Sequence, residues 1–148
     1  MKSFAFRFAG TAGLVALAFV LGMNAGRAQQ GPGWGPAVIH VSQMKAEDFP
    51  PKAQGATNYA KIVAVNGDAA AVQIQMGPVG KHYHAGSNEI QYIVEGSGKF
   101  WLGDKQVDVG PGDLLIIPKG TAHGMLADYK AVSIKSPPQA AGDAHSLP

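Results

Sequence analysis

The sequence predicts an all-β fold, a single closed barrel or sandwich of about eight to ten short strands. Three observations predict it. Glycine (20 residues) and proline (10) are abundant, and charged residues make up only 15% of the 148-residue chain, a balance that suits many tight turns better than packed helices. From Tyr59 onward, short runs rich in β-branched and aromatic residues replace any helical period. Turn signals separate those runs, the strongest being Asn66-Gly67-Asp68.

Residues 1–28 read as a cleavable signal peptide. Lys2 and Arg7 make a positive start, Phe8 to Leu21 is an apolar run broken only by Gly and Thr, and Gly26-Arg27-Ala28 puts small residues where a signal peptidase reads. The apolar run is shorter than the ~20 residues that span a bilayer, so a stable membrane anchor is not expected. The expected location is periplasmic or secreted.

Residues 29–58 read as an N-terminal arm with short edge elements. Gln29 to Ala37 is Gly- and Pro-rich, Val38 to Val41 could form an edge strand, and Ser42 to Phe49 a helical turn that Pro50-Pro51 stops. Residues 59–135 form the predicted barrel. Its strands are expected at Ala60–Val65, Ala70–Met76, Glu89–Glu95, Lys99–Leu102, Lys105–Val109, Leu114–Ile117, His123–Leu126 and Lys130–Ile134. Residues 136–148, rich in Pro and Ala with little to bury, are expected to be disordered.

Composition removes several functions. Three of the twelve basic residues (Lys2, Arg7, Arg27) lie in the first 28 positions, leaving nine basic against ten acidic residues beyond them. No basic nucleic-acid footprint remains. The chain has no cysteine, which excludes a disulfide framework, a thiolate nucleophile and a Cys-based metal site. No arginine follows Arg27, which argues against a substrate held by a bidentate guanidinium, such as a phosphate or dicarboxylate.

Three of the five histidines carry the chemistry. His82 and His84 are two apart, so on a strand both imidazoles share a face. Glu89 follows after a turn's length and can present a carboxylate from the neighbouring strand, and His123 arrives two hairpins later. Three imidazoles and one carboxylate suit one divalent first-row ion, with Cu, Zn, Mn, Fe and Ni all open. Either Gln75 or Gln91 could accept from the second nitrogen of a ligating imidazole, or simply bond to strand neighbours.

Two segments, GKHYHAGSNEIQYIVEG and GDLLIIPKGTAH, resemble the two motifs of the cupin superfamily, H-x-H-x(3,4)-E-x6-G and G-x5-P-x-G-x2-H. The resemblance implies a double-stranded β-helix, or jelly-roll, barrel whose metal ligands would be His82, His84, Glu89 and His123. Two positions depart from the pattern: Met76 stands where a Gly is expected before the first His, and Ala127 where an Asn is expected after the last. Both are turn positions rather than ligands. Gly96 and Gly112 sit where strands reverse and φ can need to be positive.

Alternation from Glu89 points Gln91 and Ile93 inward, and the resemblance implies Phe100, Leu102 and, with His123, Met125 inward as well. Gln91, Ile93 and Met125 are the expected substrate pocket, with Phe100 and Leu102 as barrel core. Trp101 and Tyr92 alternate with the inward set and suggest a homodimer surface. The expected function is a metal-dependent enzyme, dioxygenase- or lyase-like, acting on a small non-phosphorylated molecule, with Glu89 exchanging protons. The alternative is a non-catalytic periplasmic protein that binds a metal or small ligand.

Overall fold

The computed structural model describes residues 33–148. The predicted signal peptide and the start of the arm therefore lie outside the described residues. Among the described residues ten strands form: β1 (Tyr59–Asn66), β2 (Ala70–Met76), β3 (Val79–His84), β4 (Asn88–Glu95), β5 (Gly98–Leu102), β6 (Lys105–Val109), β7 (Leu114–Ile117), β8 (His123–Met125), β9 (Lys130–Ser136) and β10 (Ala144–Ser146). They make two antiparallel five-stranded sheets, ordered β1-β2-β9-β4-β7 and β10-β3-β8-β5-β6. Among the described residues no helix is long and apolar enough to cross a membrane.

Local turn chemistry explains the hairpins. Gly67 (φ 49°) closes β1–β2, and Gly103 (φ 67°) closes β5–β6 across Gly103-Asp104. The hydrophobic core lies between the sheets. Ile93 (β4), Leu115 and Ile117 (β7) and Ala131 (β9) from one sheet meet Phe100 (β5), Val109 (β6) and Met125 (β8) from the other. Each fully buried large side chain in this set stabilises the fold by roughly 1.5–3 kcal/mol relative to exposure.

The interior changes character along its strands. On β4 the inward residues run Glu89, Gln91, Ile93, and on β9 they run Lys135, Ser133, Ala131, all buried. One end of the barrel is thus polar and the other apolar. The apolar end closes the fold, and the polar end is free to bind.

Four expectations need correction. Residues 136–148 are not disordered: β10 pairs with β3 in the register Ala144↔His84, His145↔Tyr83 and Ser146↔His82, and the ring of His145 stacks on Tyr83. No edge strand forms at Val38–Val41, where the side chains stay mostly exposed; the helical segment appears as two single 3-10 turns, Val41–Gln43 and Ala46–Asp48. Trp101 is half-buried beneath the Lys81 ammonium, 4.7 Å from its ring centre, so it does not present a free face. Instead Tyr92, Ile90, Leu114, Ile116 and Ile134 form the exposed apolar outer face of the first sheet.

Candidate metal centre

The histidines meet because strand periodicity and register agree. His82 and His84 project from the same face of β3, and β8 pairs so that His123 lies directly opposite His82. Their ring centres are 5.1 Å (His82–His84), 4.2 Å (His82–His123) and 5.4 Å (His84–His123) apart. One nitrogen from each lies within 4.8 Å of the other two. His84 and His123 are buried, while His82 is partly open.

Glu89 completes the cluster from across the barrel. It sits on β4 in the opposite sheet, not on a strand paired with β3, and its Oε2 lies 3.1 Å from Nε2 of both His84 and His123. Its other oxygen, Oε1, accepts from the Ser133 hydroxyl and from Gln91 Nε2 (2.9 Å), with Lys135 Nζ 4.0 Å away. The in-register pairs Glu89↔Lys135 and Gln91↔Ser133 place these partners. Burial alone would push the Glu89 carboxyl up. The Lys135 ammonium, then the His123 and His84 imidazoles set against Oε2, outweigh burial and hold it well below the usual carboxylate range.

The Gly80 carbonyl (2.9 Å) accepts from His82 Nδ1 and the Thr121 carbonyl (2.9 Å) from His123 Nδ1. Asp143 Oδ2 stands 3.2 Å from His84 Nδ1 with no hydrogen bond formed between them. A ring that keeps its one proton on Nδ1 can offer the Nε2 lone pair to an ion. Neither Gln75 nor Gln91 serves an imidazole: Gln75 donates to the Tyr129 hydroxyl and Gln91 to Glu89. Ser133, Lys135 and Asp143 were not singled out in the sequence. The inverted run Lys130–Ser136, with Val132 and Ile134 outward and Ser133 and Lys135 inward, is a signal that could have found the first two.

The donor set fits a divalent transition ion. His84 Nε2 is buried and makes no hydrogen bond, an acceptor that is costly to leave empty unless a ligand takes it. His82, His84, His123 and Glu89 are the residues that would hold the ion.

Burial and then the nearby His123 imidazole lower His82 from 6.5 to about 4, so its ring is neutral at physiological pH. The unfolded chain takes up this proton near 6.5, the folded protein only near 4, so metal-free protein loses stability as pH falls through that window. The depressed Glu89 acts in the same direction at the acid end, since its contribution is present above its ordinary value and lost as pH falls. The unfolding midpoint of metal-free protein should fall between pH 7 and pH 4.5, and less so in His82→Gln. Equal pH dependence in the two proteins would contradict this.

The open space at this end is a groove of about 1030 Å³, lined by Asn58, Ile62, Gln73, Val79, Lys81 and His82 among others. The expected pocket of Gln91, Ile93 and Met125 lines none of it. Those side chains do point inward, but Ile93 and Met125 are 0% exposed in the apolar core and Gln91 is bound to Glu89. Inward in this barrel means packed.

Comparison with known proteins agrees with this architecture. The family model described as Cupin domain matches residues 71–133. An acireductone dioxygenase of Candida albicans (strain WO-1) is 35% identical over 80 residues, 51% of this chain and 45% of that protein. The chain thus spans less than half the length of the curated relative it matches. Among solved structures, Streptomyces Pac13 with uridine has a TM-score of 0.56 at 19% identity, covering 62% of this chain and 78% of that one. The polyketide cyclase RemF from Streptomyces resistomycificus also has a TM-score of 0.56 at 19% identity, covering 76% and 86%. KdgF from Halomonas sp. has a TM-score of 0.52 at 21% identity, covering 63% and 92%. At these identities the solved structures report the fold alone.

Proposed function

We propose, since this chain belongs to the cupin superfamily, that it is a metal-dependent enzyme acting on a small, non-phosphorylated molecule by oxidative or lyase-type chemistry. The observation that carries this reading is a four-donor cluster beside an open groove that reaches His82. The stretch shared with an acireductone dioxygenase favours the oxidative class. When bound, a divalent ion would supply Lewis acidity or a redox centre, and four protein donors leave a five- or six-coordinate ion with an exchangeable position.

The chain's own residues divide the work. His84, His123 and Glu89 form a buried floor, and His82 joins that floor to the groove wall. Glu89 is tied through Oε1, so Oε2 is the oxygen left to face the ion or move a proton. Among the described residues Lys81 is the one permanently charged side chain lining the groove, and its ammonium is held over Trp101. Such a wall suits a neutral or phenolic molecule better than a phosphorylated one.

Azide added to Cu²⁺-loaded protein should bind and perturb its visible spectrum. Ile62→Trp, which narrows the groove, should block turnover and leave metal content unchanged. A saturated ion, with no azide binding and no activity in oxidative or lyase screens, would instead indicate the non-catalytic metal- or small-ligand-binding protein.

We place the protein in the periplasm or outside the cell, on the strength of residues 1–28. N-terminal sequencing of the mature protein should start at Gln29, and an intact chain in the membrane fraction would contradict export. The exposed apolar face around Tyr92 and Ile116 is the surface we assign to homodimer formation, and a monomer mass by light scattering would exclude it.

A further inference from the structure

We infer that Gln73 is the specificity-determining residue of the groove, its neutral amide pairing with a hydroxyl or carbonyl group on an uncharged ligand whose other end faces His82. The inference rests on the functional reading above and adds the residue that selects what enters. Gln73 stands in a row of inward side chains that leads from the groove to Glu89.

Strand register builds that row. On β2 alternation sends Ala71, Gln73 and Gln75 to the inward face. Gln73 pairs with Ser133 on β9, and Ser133 pairs with Gln91 on β4. Ser133 and Gln91 both donate to Glu89 Oε1. On the other side Gln73 pairs with Ile62 of β1. The row passes from filled to open along its length: Gln91 and Ser133 are buried, while Gln73 and Ile62 are half-buried and line the groove. Val79 and His82 line the same groove from β3 in the other sheet, so Gln73 and His82 face one space from opposite walls.

The three inward amides of this sheet differ in what they bind. Gln75 donates to the Tyr129 hydroxyl (2.7 Å) and Gln91 to Glu89. Gln73 forms no side-chain hydrogen bond among the described residues, so its donor and its acceptor both face the groove. Other polar groups on the wall are engaged elsewhere: Thr57 Oγ1 donates to the Pro78 carbonyl (2.7 Å), and the Lys81 ammonium lies over Trp101. Gln139 and Ser146 belong to the C-terminal segment, whereas Gln73 sits on a strand paired on both sides and is held more rigidly. An amide offers a donor and an acceptor without charge, so it matches a hydroxyl or carbonyl and gives an anion no ion pair. A ligand lacking that group leaves the amide unpaired and binds less well.

The test uses the mature protein loaded with Zn²⁺, wild type and Gln73→Leu, with phenol, resorcinol and hydroquinone as probes titrated by NMR. All three are uncharged at neutral pH, and the hydroxyls of the two diols are too far apart to chelate one ion. One diol should bind the wild type roughly 3–10-fold more tightly than phenol, the gain from one hydrogen bond. In Gln73→Leu that advantage should vanish, with phenol binding and Zn²⁺ content unchanged. A general disturbance of the wall would weaken phenol as well. If neither diol outbinds phenol in the wild type, or if the advantage survives in Gln73→Leu, the inference is overturned while the metal reading stands. If the wild type takes up no Zn²⁺ the metal reading fails, and the same comparison on metal-free protein still decides the role of Gln73. Should Gln73→Leu not fold, Gln73→Met, which keeps the side-chain length, gives the same comparison.

Discussion

His84→Ala should abolish stoichiometric metal binding and remove the stabilisation that the ion confers. His84 is buried between the two carboxylates, Glu89 on one side and Asp143 on the other, so its loss removes a donor and leaves both acids facing a void. An ion present at a hundred times its Kd stabilises the native state by about 2.7 kcal/mol, which for a domain of this size is a shift of about 10 °C in Tm. Adding metal should therefore raise the Tm of wild type by about that much and leave His84→Ala unmoved. His40→Ala is the control, since His40 is exposed and far from the cluster in sequence. His145→Ala should also keep full metal content, yet it removes the stack on Tyr83 and so costs about 1 kcal/mol. Full metal content in His84→Ala would refute the assignment of this ligand.

Gly96→Ala should be among the most damaging single-atom additions in the barrel. Gly96 has φ 85°, and a Cβ there would lie 2.4 Å from the Asp128 carbonyl oxygen and 2.7 Å from Tyr129 Cα. A left-handed backbone costs a non-glycine residue about 1–2 kcal/mol, and backbone that must shift to relieve the clash adds roughly 1–3 kcal/mol. Gly112→Ala has the same φ problem (98°) but open space around it, so only the first cost applies. Gly80→Ala has neither and should be close to neutral. Denaturant midpoints should fall in the order Gly80, Gly112, Gly96. A Gly96 variant as stable as the Gly112 variant would show that the Asp128–Tyr129 turn yields freely.

Much of the site was legible because it depends on short-range rules. Two histidines two residues apart on a strand must share a face, and the glycines at 96 and 112 both adopt positive φ. Alternation also assigned the inward face of β4 correctly, and the family pattern that of β8. The pocket expectation failed at the next step, because alternation says which way Ile93 and Met125 point but not whether a partner fills the space. Phe100, Leu115 and Ala131 fill it, from strands of both sheets.

The tail was misread for a related reason. Ser136 to Pro148 has few apolar residues, and β10 has only three residues, all exposed, so composition shows nothing to bury. Its order comes from backbone hydrogen bonds to β3 and from Asp143 reaching Gly86 and His84. Those partners lie more than fifty residues away, where no local pattern can register them.

By itself the sequence determined the strand period, the turns that need glycine, and the spacing that puts His82 and His84 on one face, because each follows from steric limits on neighbouring residues. Only the tertiary structure decided that β8 sets His123 opposite His82, that Glu89 enters from the opposite sheet with Ser133 and Lys135 against it, that Asp143 stands beside His84, and that the open groove lies beside His82 rather than Ile93. These depend on which distant strands pair and how completely their side chains fill the space between two sheets.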